Sequence, residues 1–250
     1  MRKRIWIFAM MLVPLAAQAQ HYHYDVDGNG SVNVTDVMLL VNRLLNIPNP
    51  GEENPENGLC PDRRHPHAID LGLPSGTRWA CCNVGATAPE GYGGYYAWGE
   101  TSEKTVYDWS TYVHCDGTKD SCHDIGEVIC GTKYDAASVN WGEAWQMPTL
   151  DQCEELLNGC TYSWTTLNGV NGALFTSKKN GKSIFIPAAG DRFDTDLYSR
   201  GESGIYWTGT LHPFSDDCAY CLNFYGGTAF CGYNDYNRNL GRAVRPVYDN

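Results

Sequence analysis

Asp25-Val26-Asp27-Gly28-Asn29-Gly30-Ser31-Val32-Asn33-Val34-Thr35-Asp36 decides how the amino-terminal part of this chain is read. Acidic or amide oxygens stand at loop positions one, three, five, nine and twelve, with Gly30 at six and Ser31 at seven. A hard cation such as calcium collects six to eight oxygens at roughly 2.3–2.6 Å. A short loop supplies them when alternate residues point inward and the chain turns sharply at its centre. Gly30 allows that turn, since it lacks the Cβ that would clash. The candidate metal ligands are therefore Asp25, Asp27, Asn29, Ser31, Asn33 and Asp36, and the implied cofactor is Ca2+.

A helix is predicted to follow. Val37, Leu40, Val41, Leu44 and Leu45 recur at three- and four-residue steps and make one apolar stripe. Asp36 suits the start of that helix, where a negative group complements the dipole. A lone helix of this length is marginal in water. The stripe is thus expected to bury itself on the rest of the chain, on a second copy or on a foreign partner.

Asp-x-Asp-x-Asn-Gly-x-Val-Asn-x-x-Asp followed by a Leu-rich helix resembles one repeat of a type I dockerin. The resemblance implies a calcium-shaped module that docks onto a cohesin-like receptor in surface assemblies that degrade polysaccharide. It also puts Val34 and Thr35 where that family carries partner-recognition residues. The loop departs from the EF-hand pattern, with Asp36 where Glu is usual and no amphipathic helix before it, and the chain departs from the dockerin family in that no second loop is found. Asp116-Gly117-Thr118-Lys119-Asp120 and Asp194-Thr195-Asp196 lack the central Gly and the remaining ligand spacing.

Met1-Arg2-Lys3-Arg4, the apolar run Ile5 to Leu15, and Ala17-Gln18-Ala19 read as a secretory signal peptide cut before Gln20. The apolar run is too short for a comfortable bilayer span, and membrane insertion is not expected. The protein is expected to be exported, to the extracellular space, the cell surface or the periplasm. Loss of the three cations in residues 1–19, which hold no acid, moves the formal net charge from −11 to −14. That balance disfavours nucleic acid as a partner.

All 11 cysteines lie after the signal, and in an exported chain disulfides are the leading reading. The odd count leaves at least one thiol unpaired within the chain. Zinc is the competing reading for Cys218-Ala219-Tyr220-Cys221, but a zinc site normally joins two close-spaced pairs. No second such pair is visible.

Four parts follow from composition: a signal peptide at 1–19, the calcium-binding half-module at 20–46, a Pro/Asn/Glu-rich linker at 47–66, and a large domain at 67–250. In the large domain strands are predicted at 68–73, 77–84, 161–166, 172–177, 183–187, 205–210, 219–225, 228–233 and 242–247. One helix is predicted over 149–159, opened by a Thr149/Gln152 capping box and stopped at Asn158-Gly159. Residues 91–130 read as loop. The expected fold class is α+β, with short strands and long loops, plus the small calcium loop–helix module.

Ile69 to Ala80, Tyr96-Ala97-Trp98-Gly99-Glu100-Thr101, Trp145-Gln146-Met147-Pro148-Thr149, Ile186-Pro187-Ala188-Ala189-Gly190, Tyr206-Trp207-Thr208 and Gly241 to Val247 come in a familiar order. Across residues 67–248 they resemble the Fibrobacter succinogenes major paralogous domain. The resemblance implies a fold of the C-type lectin-like and formylglycine-generating-enzyme kind. It assigns no function.

Three functions are weighed for the large domain. Contact with a polysaccharide is suggested by Tyr92, Tyr95, Trp109 and Tyr112 in or beside a Gly-rich loop, where rings can stack on sugars. The calcium-dependent lectin motifs Glu-Pro-Asn, Gln-Pro-Asp and Trp-Asn-Asp are missing from the sequence. Catalysis, of a formylglycine-generating-like or glycan-active kind, finds no matching cysteine pair or carboxylate dyad. A structural or adhesive surface role would make Arg242, Arg245 and Asp70 core ion-pairing and hydrogen-bonding residues, and the calcium loop a mere tether.

Overall fold

The computed structural model describes residues 32–44, 60, 64–232 and 237–248. The chain divides into two compact units, Met1–Glu53 and Asn54–Asn250. In the first unit the described element is helix α1 (Val34–Leu44). The Asn33 carbonyl accepts from the N–H groups of Asp36 (3.2 Å) and Val37 (3.4 Å), which closes the first turn.

The described residues of the second unit form thirteen short strands: β1 (Ala68–Asp70), β2 (Arg78–Ala80), β3 (Trp145–Gln146), β4 (Cys160–Leu167), β5 (Val170–Ser177), β6 (Ser183–Pro187), β7 (Asp191–Phe193), β8 (Asp196–Tyr198), β9 (Ser203–Leu211), β10 (Ala219–Tyr225), β11 (Thr228–Gly232), β12 (Gly241–Arg242) and β13 (Val247–Tyr248). Two α-helices, α2 (Ala136–Trp141) and α3 (Leu150–Gly159), and a short 3-10 helix at Lys119–Ser121 interrupt them. The strands form one four-stranded sheet, β1-β2-β13-β3, and three three-stranded sheets, β11-β10-β9, β12-β7-β8 and β4-β5-β6. Every pairing within these sheets is antiparallel.

This corrects the expected fold class. The described chain is mainly small antiparallel sheets, not an α+β fold with a C-type lectin-like domain. The reason lies in strand and helix length. Hairpins such as β4–β5, turned at Asn168-Gly169, and β10–β11, turned at Gly226-Gly227, pair neighbours locally. Helix α2 has only six residues and α3 ten, so helix makes up a small share of the described chain.

Local signals hold where they were strong. Thr149 Oγ1 accepts the Gln152 N–H (3.2 Å) while Gln152 Oε1 accepts the Thr149 N–H (2.9 Å), the expected reciprocal cap of α3. Strand β10 matches its predicted span, whereas α2, β3, β7 and β8 were not foreseen. Cross-chain packing then fills the middle. Leu71, Trp79, Leu156, Phe175, Ile186, Leu222 and Phe224 make one buried cluster, and Trp98, Ile129, Met147, Trp207 and Val244 a second.

Three buried arginines tie the loops to these clusters. Arg238 donates to the Tyr112 hydroxyl (2.8 Å) and the Asp216 carbonyl (2.8 Å), and lies over Trp98. Arg242 lies over Trp207, with its guanidinium 3.7 Å from the Asp191 carboxylate. Arg245 donates to three carbonyl oxygens. The expectation that Arg242 and Arg245 sit in the core is met. Asp70 is exposed instead, and accepts the Gly72 N–H (2.7 Å) at a turn.

Candidate functional site

The proposed calcium ligands divide between described and undescribed residues. Asp25, Asp27, Asn29 and Ser31 lie outside the described residues; Asn33 and Asp36 lie inside. Asp36 is 1% exposed, and its Oδ2 accepts the Asn33 N–H at 2.7 Å. Asp36 thus caps the first turn of α1. The donor set is all oxygen, which suits a hard cation and not a soft one.

Behind that cap the helix shows solvent an apolar surface. Val34 is 74% exposed, and Val37, Met38, Leu40 and Val41 are also exposed. Leu45 and the side chains of Thr35 and Leu44 fall outside the described residues. The expected stripe is therefore present at Val37, Leu40 and Val41, and it is open.

In the second unit the four aromatic residues read as glycan-facing do not share a face. Tyr95 and Tyr112 are buried, and their hydroxyls donate to the Ala189 carbonyl (2.6 Å) and the Trp98 carbonyl (2.7 Å). Burial raises both phenols above their ordinary range. Trp109 is half-buried and stands edge-on to Tyr112. Tyr92 is half-buried too and packs against the cluster of Leu71, Trp79 and Phe224, under the Arg200 guanidinium, which also reaches the Tyr95 ring.

A cleft of about 550 Å³ lies elsewhere, lined among others by Cys122, His123, Asp124, Glu127, His212, Asp216, Tyr220 and Arg238. His212 is buried, with its ring tilted against Tyr220 and edge-on to Phe214. The His123 imidazole meets Asp116 Oδ1 at 3.0 Å on the exposed side. Arg238 fixes both walls through the His123 and Asp216 carbonyls. Burial pushes the Cys122 thiol up to about 11. What the cleft offers is hydrogen-bond acceptors beside an aromatic ring. Sequence reasoning missed it because its residues come from four separate segments.

The eleven cysteines stand as thiols in the structure. Cys218 and Cys221 take different partners: the Cys218 thiol faces Asn237 Oδ1 (3.6 Å), while Cys221 Sγ accepts from Arg242 Nη1 (3.0 Å). They do not converge as a metal pair. Among the described residues, no helix is long and apolar enough to cross a membrane.

Comparison with known proteins agrees with the loop chemistry. Residues 23–58 match the family model of the dockerin type I domain. That match stops short of residues 67–248. No curated protein and no solved structure matches the chain. Residues 23–58 are thus similar to the dockerin type I domain.

Proposed function

We propose that this protein is an exported docking component. Its loop 25–36 holds calcium through Asp25, Asp27, Asn29, Ser31, Asn33 and Asp36. Helix α1 then presents Val34, Thr35 and the open apolar face to a cohesin-like receptor on the cell surface. One observation carries the reading: a segment matching the dockerin type I domain closes on a buried carboxylate that also caps a helix with an exposed apolar face. Calcium supplies the charge that draws the carboxylates together. The chain's own Asp36 passes that order to α1.

The test is association of the full-length chain with a purified type I cohesin in millimolar calcium and in chelator. Binding in calcium that chelator abolishes is the expected result. No calcium uptake at millimolar concentration, or binding indifferent to chelator, would remove the proposal.

For the second unit we place contact with a neutral polysaccharide at the cleft beside Tyr220 and His212. The supporting observation is the juxtaposition of an aromatic ring with the Asp124, Glu127 and Asp216 carboxylates, which accept hydrogen bonds from sugar hydroxyls. Affinity electrophoresis in soluble plant and bacterial polysaccharides should show retardation that Tyr220→Ala abolishes. Equal mobility in every gel would argue for a purely structural unit.

A further inference from the structure

Cys60, His65, His67 and Cys81 come together at the edge of β1 and β2, although no spacing in the sequence announces them. Each offers one sulfur or imidazole nitrogen, and these four atoms all lie within 4.8 Å of one another. His65 Nδ1 is 3.6 Å from Cys60 Sγ and 3.1 Å from Cys81 Sγ. His67 Nδ1 is 3.6 Å from Cys81 Sγ. Zinc bonds of about 2.3 Å to sulfur and about 2.0–2.1 Å to nitrogen, spread tetrahedrally, place a sulfur and a nitrogen about 3.6 Å apart. Two of the three measured separations match that value, and the third is half an ångström short.

Hydrogen bonding alone accounts poorly for this geometry. His65 Nδ1 faces two sulfurs at once, yet a ring nitrogen offers either one proton or one lone pair and so bonds one sulfur at a time. A cation at the centre of the four atoms would satisfy all of them together. The surroundings are those of a closed site. Cys60 is 3% exposed and Cys81 2%, both histidines are half-buried, and Ile69, Ala86 and Trp141 pack against the cysteines. An outer shell is in place as well. The His67 N–H donates to Cys81 Sγ (3.0 Å), and the Cys81 N–H returns a bond to the His67 carbonyl (2.9 Å).

We propose that Cys60, His65, His67 and Cys81 form a structural zinc site that clasps the start of the second unit to the end of β2. Four protein ligands leave no open position, so the site is structural and not catalytic. Two sulfurs and two imidazoles select zinc and reject calcium, which wants hard oxygens. The two metals of this protein would thus sort themselves by donor chemistry. Cys82 touches the Cys81 sulfur and lies 3.6 Å from the Ala86 carbonyl, but it is not among the four residues whose donor atoms all lie within 4.8 Å of one another. The proposal does not depend on the docking reading, because every ligand belongs to the second unit.

The experiment is metal analysis of the full-length chain, purified without chelator and also reduced and reconstituted with zinc. One zinc per chain is expected. Cobalt in its place should give the visible bands of a tetrahedral thiolate site. Cys60→Ser and Cys81→Ser should each weaken cobalt uptake more than about a hundredfold, given that even outer-shell changes cost ten- to hundredfold. Cys218→Ser should leave it unchanged. Should a cysteine variant fail to fold, His67→Gln keeps both sulfurs and should shift the cobalt bands. A disulfide joining Cys60 to Cys81 or Cys82 in the purified protein, or reduced protein that takes up neither metal, would overturn the proposal. Zinc retained at full occupancy in both cysteine variants would do so equally.

Discussion

Arg245 reaches across 162 positions of the chain to donate its Nε hydrogen to Asn83 Oδ1 at 2.7 Å, with both residues buried. The same guanidinium donates from Nη1 to the Ala80 carbonyl (2.9 Å) and from Nη2 to the Phe185 carbonyl (3.0 Å). One planar fork therefore ties the end of β2 and the Asn83 turn to β6. Lysine has neither the fork nor the reach to serve three directions. Arg245→Lys should cost about 2–4 kcal/mol through acceptors left without a donor. Thermal unfolding of the two proteins side by side checks this, and an unchanged midpoint would refute it.

Asp135 presents a related case without a cation. Its Oδ1 accepts the N–H groups of Ala137 (2.7 Å) and Ser138 (3.2 Å), and its Oδ2 those of Gly131 (2.8 Å) and Met147 (2.8 Å). Asparagine keeps one acceptor oxygen and turns an amide donor toward the other pair of N–H groups. Asp135→Asn should destabilise by about 2–3 kcal/mol. The exposed Asp151→Asn should stay within about 0.5 kcal/mol. Denaturant midpoints for both variants give the comparison.

Gly190 has φ +64, and a Cβ built there would run into the Tyr198 carbonyl oxygen and the Arg200 backbone nitrogen. Backbone on both sides cannot swing away as a side chain can. Gly190→Ala should lower stability by at least about 2 kcal/mol, combining left-handed strain with the clash. Soluble yield and melting temperature are the readouts.

His114 donates through Nε2 to the Gly99 carbonyl at 2.9 Å as a neutral ring, and burial holds its pKa below the ordinary 6.5. The folded protein therefore binds a proton there less readily than the unfolded chain. Its contribution is fully present above about 6.5 and is lost as pH falls through the lowered folded value. His114→Gln should flatten the drop in melting temperature on going from neutral to mildly acidic buffer. Identical slopes for the two proteins would exclude His114 as the source.

Asp36 is the place where calcium binding and helix formation meet. Asp36→Ala should abolish the calcium-dependent gain in far-ultraviolet helicity, and should weaken the helix even without calcium by about 1 kcal/mol through loss of the cap. Asp36→Glu restores the longer arm usual at this loop position and should retain calcium binding. Circular dichroism over a calcium titration separates these outcomes.

Much of the local structure was legible in the residues. The Thr149/Gln152 cap, the turn at Asn180-Gly181 between β5 and β6, and the span of β10 are set by side chains within a few positions of the backbone they act on. The oxygen ladder from Asp25 to Asp36 is also written at fixed short intervals, and its residues 25–31 lie outside those the structure describes. Tertiary structure alone settled the rest. It turned the Tyr95 and Tyr112 hydroxyls inward, exposed Asp70, split the chain into small sheets where an α+β layering was expected, and drew Cys60 and Cys81 to the same two histidines. Those outcomes depend on which distant segments meet. A sequence records that only through the summed packing of Trp79, Trp98, Trp207 and the buried arginines, not through any spacing between the partners themselves.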